Sequence, residues 1–407
     1  MLGFMVPSSL DTHRRRVILL LLLATLPAAF VNTVFTQTVA FAADEFDVSA
    51  RGQGFAAAVV RWGVVIALPF ALYADRLGRR KMIIVTAWLA PTITALGAVA
   101  PSFEFLVATQ TIGRPLGLAL SVFIMVFATE EMGSDTRAWA LSVLAIASGV
   151  GAGSAVAALP LAGVSNSSWR WVYLVGLVWL VCAAIVTRLL PETNRFLALK
   201  NQPPAVAAPQ SRIDRGRLTL QVIVAVFANL FIATVSIFQV RYLTEVRGYS
   251  ATMAAAFTIF TVLPSSIALV IGGRLADSTG RRQVAVVTIP IGAALVAVSY
   301  SVSGPAMWIA ALVGGFAIAL AYPAMSVFRS ELFPTAKRNL ASALITTASL
   351  LGGSVGLISA GIAIDNGYSY GEVISTLAIF PLVVAALVWF KYPETANVSL
   401  EELNPEH

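Results

Sequence analysis

Ala71-Leu72-Tyr73-Ala74-Asp75-Arg76-Leu77-Gly78-Arg79-Arg80-Lys81 is a short, densely charged stretch between two long apolar runs. Half a chain later Gly273-Arg274-Leu275-Ala276-Asp277-Ser278-Thr279-Gly280-Arg281-Arg282 repeats it, with Asp75 and Asp277 202 positions apart. Two such turns in equivalent places point to a duplicated chain. The apolar runs around them point to a membrane protein.

Of the 407 residues, 58% are hydrophobic and 12% charged, and the mean hydropathy is +0.84. Apolar runs of membrane-spanning length recur along the whole chain, which a soluble domain cannot bury. Twelve of them are read as helices, at 17–42, 54–74, 82–101, 104–128, 138–161, 169–190, 218–243, 250–273, 283–303, 305–329, 339–363 and 370–391. They are too long and too continuous for barrel strands. The basic start, His13-Arg14-Arg15-Arg16, precedes a run too long for a signal peptide, so an uncleaved first helix is expected.

Of the 27 Lys and Arg, 21 fall on the side of the N-terminus in this twelve-span reading. Four fall on the other side (Arg51, Arg170, Arg241, Arg247), and Arg61 and Arg114 lie within spans. That bias places both termini in the cytoplasm of a multi-pass protein of the cell membrane. It also accounts for a pI near 9.8 without a nucleic-acid partner. Cys182 is the single cysteine, and the two histidines, His13 and His407, sit at the chain ends. No metal site, disulfide framework or cysteine nucleophile is expected from these.

The repeat extends beyond the turns. Leu190-Pro191-Glu192-Thr193 recurs as Tyr392-Pro393-Glu394-Thr395 at the same offset. Glu130 is followed seven positions on by Arg137, and Glu331 by Arg338. The segment 191–217, with Pro203-Pro204 and several basic residues, reads as a cytoplasmic linker. The expected organisation is a six-helix bundle over 1–190, the linker, a second bundle over 218–391 and a tail over 392–407. Parallel halves of this kind place substrate near the bilayer midplane.

With these marks the chain resembles the major facilitator superfamily over essentially its whole length. The finer pattern resembles the branch of sugar porters and metabolite porters. It consists of Asp75-Arg76 and Arg79-Arg80 around Gly78, Glu130 with Arg137, Pro191-Glu192-Thr193-Asn194-Arg195, Asp277 with Arg281 and Arg282, Glu331 with Arg338, and Pro393-Glu394-Thr395. The resemblance implies a cytoplasmic salt-bridge network of these groups that gates the carrier. Ala71 stands where the family has glycine, while Gly273 keeps it. The turn position also suits an aspartate that caps the following helix, and glycines that bend the backbone.

Ionisable groups inside a span are costly and are functional candidates. Arg61 lies ~10 Å and Arg114 ~15 Å into their spans at 1.5 Å per residue. Arginine stays charged, so each needs water, a carboxylate or an anionic ligand. Gly113-Arg114 resembles the Gly-Arg of the sugar porters' fourth helix, whose partner in the family is a first-helix aspartate that takes up the coupled proton. Asn32 stands at that position here and does not titrate. No Asp or Glu lies deep in any span.

Asn32, Thr33, Thr36 and Gln37 make one face of the first span polar, and Asn229, Thr234, Ser236 and Gln239 repeat the theme in the seventh. Gln37 and Gln239 are again 202 apart. Hydroxyls in helices commonly bond only their own backbone. The glutamine pair of true sugar carriers is absent, since Phe238 precedes Gln239. Glycines 149, 151 and 153 in the fifth span and 352, 353 and 356 in the eleventh read as close helix packing. The tryptophans, Trp169 among them, read as interface anchors.

The expectation is a secondary active transporter for a small organic metabolite, with a carboxylate favoured by Arg61 and Arg114. The alternative is a multidrug or toxic-compound exporter of the same superfamily. The expected partners are a small-molecule substrate and the lipid bilayer, with the proton as a candidate coupling ion, no nucleic acid and a monomeric state. No cofactor is called for. With no Walker loop and no nucleophile–base pair, an enzyme or an ATP-driven pump is disfavoured.

Overall fold

The computed structural model describes residues 11–64, 78–132, 136–192, 214–333 and 338–395, with backbone only at 137, 138, 277, 329–331 and 338–340. Among these residues every regular element is a helix. Eleven helices are long and apolar enough to cross a membrane. The expected second span runs beyond the described residues, which hold its start, Ala50–Trp62. The chain is an all-α integral membrane protein.

The helices run in order: α1 Thr12–Glu45, α2 Ala50–Trp62, α3 Arg79–Val99, α4 Phe103–Glu131, α5 Arg137–Ala157 and α6 Trp169–Leu189. There follow α7 Arg215–Val246, α8 Ala251–Thr279, α9 Arg281–Ser299, α10 Gly304–Glu331, α11 Arg338–Asp365 and α12 Tyr370–Lys391. Polar residues set the starts. Asp11, Ser102, Asp214 and Ser250 each accept from a backbone N–H of the first turn. Ser369 and Glu372 form a reciprocal capping box on α12. Pro381 has no N–H for the carbonyl of Leu377, and α12 breaks there before resuming at Ile379.

The chain divides into two compact units. Unit 1 comprises Met1–Asp47 and Val59–Ala205, and unit 2 comprises Val48–Ala58 and Val206–His407. The core of unit 1 joins Leu21, Ala24 and Ala28 of α1 to Ile83 and Ala87 of α3, Leu120 and Phe127 of α4, and Val186 of α6. In unit 2, Val224 and Ala225 of α7 pack with Phe328 of α10, Ile345 of α11 and Val384 and Val388 of α12. Large apolar side chains such as Leu263, Val270 and Phe390 are more than half exposed, which suits contact with lipid.

Small residues let helices approach closely. A Cβ on Gly151 would strike the Leu26 carbonyl of α1, and one on Gly356 would lie 2.5 Å from the Leu230 carbonyl of α7. Gly149 and Gly153 have open space instead, so the expected close packing holds for one face of α5 only. Gly78 (φ 96°) and Gly280 (φ 110°) begin α3 and α9 in a conformation that L side chains rarely adopt.

Candidate functional site

Arg114 sits midway along α4, on a helix whose neighbouring glycines admit other helices. The Cβ of any residue at 117 would lie 3.1 Å from Asn32 Oδ1, so Asn32 of α1 stands about one turn from Arg114. Gly63, two residues after Arg61, packs against the backbone of Thr111 and the ring of Pro115. Thus Arg61 is brought beside Arg114, and the two guanidiniums repel each other. Arg114 Nη1, Asn32 Oδ1 and Gln37 Oε1 are all buried, and none has a hydrogen-bond partner among the described residues. Every described carboxylate lies at or near a helix end. An anion placed ~4 Å from one guanidinium gains about 4 kcal/mol at an effective dielectric of ~20.

The other polar positions have plainer surroundings. Asn229 Nδ2 donates to Ser349 Oγ at 2.7 Å, which joins α7 to α11. Ser236 Oγ donates to its own helix at Ile232. Thr36 and Gln239 are half-buried. Asn32, Gln37, Arg61 and Arg114 all belong to unit 1, Gln37 buried and the other three half-buried. At the 202-residue offset, Leu263 and Phe316 stand where unit 1 has Arg61 and Arg114.

The charged turns are built alike in the two units. Glu192 Oε1 accepts from the backbone N–H of Arg80 at 3.0 Å, at the start of α3. The carboxylate of Glu394 accepts from the N–H groups of Arg281 and Arg282 at 2.9 and 3.1 Å, at the start of α9. A carboxylate at a helix N-terminus meets the positive end of the helix dipole. The Arg80 side chain closes onto the carbonyls of Leu190 and Thr187 at 2.5 and 3.0 Å. Arg281 reaches Thr395, and Arg282 lies over the Trp389 ring. Arg79 and Glu130 pair at 3.3 Å. All these bonds are made within one unit. Asp75, Arg76 and Arg195 fall outside the described residues, as do the side chains of Arg137, Asp277, Glu331 and Arg338. His13 meets the buried carboxylate of Glu131 at 3.3 Å, a contact its place near the chain end did not announce.

Two networks escaped the sequence reading. In unit 1, Glu45 pairs with Arg170 and accepts from the indole N–H of Trp169 at 2.5 Å. Trp169 is fully buried under Arg170 with its N–H satisfied inside, so its ring packs within the protein instead of anchoring to lipid as its type suggested. In unit 2, Arg241 donates to the Val48 carbonyl and to Gln53 Oε1, both at 3.1 Å, and pairs with Glu245 at 2.7 Å. Gln53 Nε2 in turn donates to the Ile237 carbonyl. The signal available in the sequence was the Arg241–Glu245 spacing of four; the partners 188 or more positions away carried none.

Comparison with known proteins gives one family. The model described as Major Facilitator Superfamily matches residues 21–264 and 222–406. The chain is similar to myo-inositol transporter 1A of Cryptococcus neoformans, 23% identical, with 84% of this chain and 71% of that one covered. It is similar to the citrate-proton symporter of Klebsiella pneumoniae, 24% identical over 62% of this chain and 60% of that one. The fold is that of the xylose transporter of E. coli, with a TM-score of 0.76 at 17% identity, covering 97% of this chain and 99% of that one.

Proposed function

The chain belongs to the major facilitator superfamily, and on that footing we propose that it carries a small organic carboxylate across the cell membrane by alternating access, with Arg114 meeting the carboxylate. One observation carries the reading: Arg114 Nη1 is buried in the middle of α4 with no partner among the described residues, beside an asparagine rather than an acid. A guanidinium offers a fork that a carboxylate fills with two parallel hydrogen bonds. Asn32 Oδ1, being an acceptor, leaves the Asn32 amide to donate to the same anion or to a hydroxyl of the substrate. The similarity to a citrate carrier supports an acid as substrate.

Further parts of the reading are the halves 1–190 and 218–391 as the moving bodies, 191–217 as their linker, a monomer, and both termini in the cytoplasm. The charges Asp75, Arg76, Arg79, Arg80, Glu130, Arg137, Glu192, Arg195, Asp277, Arg281, Arg282, Glu331, Arg338 and Glu394 act in gating rather than in the pocket. If the proton is the coupling ion, its site lies away from position 32.

The experiment is uptake into proteoliposomes of a panel of small organic acids, each paired with its neutral amide, with and without a pH gradient. At least one acid should be taken up, and its amide excluded. Equal uptake of acid and amide would overturn the carboxylate reading.

A further inference from the structure

At the end of each unit far from the charged turn, the same carbonyl is held by an arginine from a different helix. In unit 1, Arg170 at the start of α6 donates to the Ala100 carbonyl. In unit 2, Arg247 at the end of α7 donates to the Val302 carbonyl, 202 positions on. The acid has changed places too. Glu45 follows the register of Arg247, and Arg170 that of Glu372. In unit 1 the two charges pair. In unit 2 they do not: Arg247 Nε donates to Tyr242 Oη at 2.8 Å, and Glu372 bonds Ser369 in its capping box.

The packing between those charges differs as well. Unit 1 fills the space with Trp169 and Tyr173, both fully buried and edge to face at 5.8 Å. Their counterparts at the offset are Gly371 and Ser375. Tyr242, Tyr300 and Tyr370 replace Ala40, Ala98 and Ser168 and take back part of the room from other walls. A cavity of about 490 Å³ remains, lined by the three tyrosines with Arg247 and Glu372, and it reaches solvent at the exposed Glu372. Gly371 on its wall packs closely on Ser301, where a Cβ would lie 2.7 Å from Ser301 Oγ.

We propose that this cavity binds a small zwitterionic aromatic compound of the amino-acid type, its ammonium on Glu372, its carboxylate on Arg247 and its ring among the tyrosines. Unit 1 supplies the pattern from its own chain. There an indole ring lies under a guanidinium, 4.5 Å from its centroid, and gives its N–H to a carboxylate. Unit 2 presents the same two charges and an aromatic wall without the ring. Opposite charges that face one cavity unpaired are both satisfied by a ligand that carries both signs, and an aromatic wall adds stacking to that. The site is separate from Arg114 and does not depend on the transport reading.

The test is binding of L-tryptophan to the purified full-length chain, followed by saturation-transfer NMR of the ring protons. Tryptamine and indole-3-propionate, each with one charge, are run beside it. L-tryptophan should bind saturably, and each single-charge analogue about tenfold more weakly, the size of one lost charge-assisted hydrogen bond. Glu372→Gln keeps a residue that completes a capping box. It should bring L-tryptophan down to the affinity of indole-3-propionate and leave the latter unmoved. Absence of saturable binding, equal affinity of the three compounds, or indifference to Glu372→Gln would each overturn the proposal. The analogue series decides the matter even if the variant fails to fold.

Discussion

The two units share a capping carboxylate at their charged turns and differ at mid-helix. At the turns, Gly78 and Gly280 start α3 and α9, and Glu192 and Glu394 return from the end of each unit to the first N–H groups of those helices. At mid-helix, Arg114 of α4 corresponds to Phe316 of α10 and Arg61 to Leu263. A helix start has unsatisfied donors wherever it occurs, so the capping solution repeats with the fold. A pocket has no such obligation, and a substrate with one charged end needs one cationic wall. The duplication has kept its capping chemistry in both copies and its mid-helix guanidiniums in one.

The mid-helix difference can be broken most sharply at Arg114. Arg114→Gln removes the cation and brings unit 1 toward the neutral side chemistry of unit 2. Acid uptake should fall by about 100-fold, the effect of losing a buried charged hydrogen-bond pair. Arg114→Lys should fall less and chiefly through KM, because a point charge cannot grip a carboxylate with two bonds. Uptake kinetics at matched membrane expression read both. Retention of wild-type KM in Arg114→Lys would move the substrate away from α4.

The likeness of the turns has its own test. Glu192→Gln and Glu394→Gln each leave shape and remove the charge from a helix start. Each should lower the stability of its unit by about 2 kcal/mol, in line with charged hydrogen bonds. Apparent melting of the two variants in detergent is the measurement. Similar losses would confirm that the repeat is energetic as well as sequential. A large loss in one and none in the other would show that only one turn depends on its carboxylate.

The spans were legible because apolar runs of membrane length admit only helices. The turns were legible because charge and glycine stand out inside such runs. The capping role of Glu192 was not, since its partner at Arg80 is 112 residues away and the turn has a nearer candidate acid in Asp75. Arg114 could be found because a lone guanidinium in an apolar helix has few explanations. Its nearness to Arg61 rests on Gly63 fitting against Thr111, which no periodicity shows. Trp169 misled because tryptophan favours interfaces in general, and only the fold reveals Glu45 waiting for its N–H. Hydroxyls on polar faces misled less: Thr33, Thr234 and Ser236 all bond carbonyls of their own helices, as their type predicts.

The asparagine beside Arg114 offers the finest discrimination. Asn32→Asp changes little in volume and puts an acid about one turn from the guanidinium. At neutral pH that aspartate is charged, because a neighbouring arginine favours its ionised form. It then competes with the substrate for Arg114, and affinity for the acid should drop about tenfold, one charge-assisted hydrogen bond's worth. Asn32→Ser, which carries no charge, should keep its affinity. The measurement is the KM of the two variants for the same acid at pH 7 and matched membrane expression. A loss confined to Asn32→Asp places substrate and residue 32 on the same guanidinium. Unchanged affinity in Asn32→Asp would mean that position 32 and the substrate never share Arg114, and that its Nη1 is met by something other than the carboxylate.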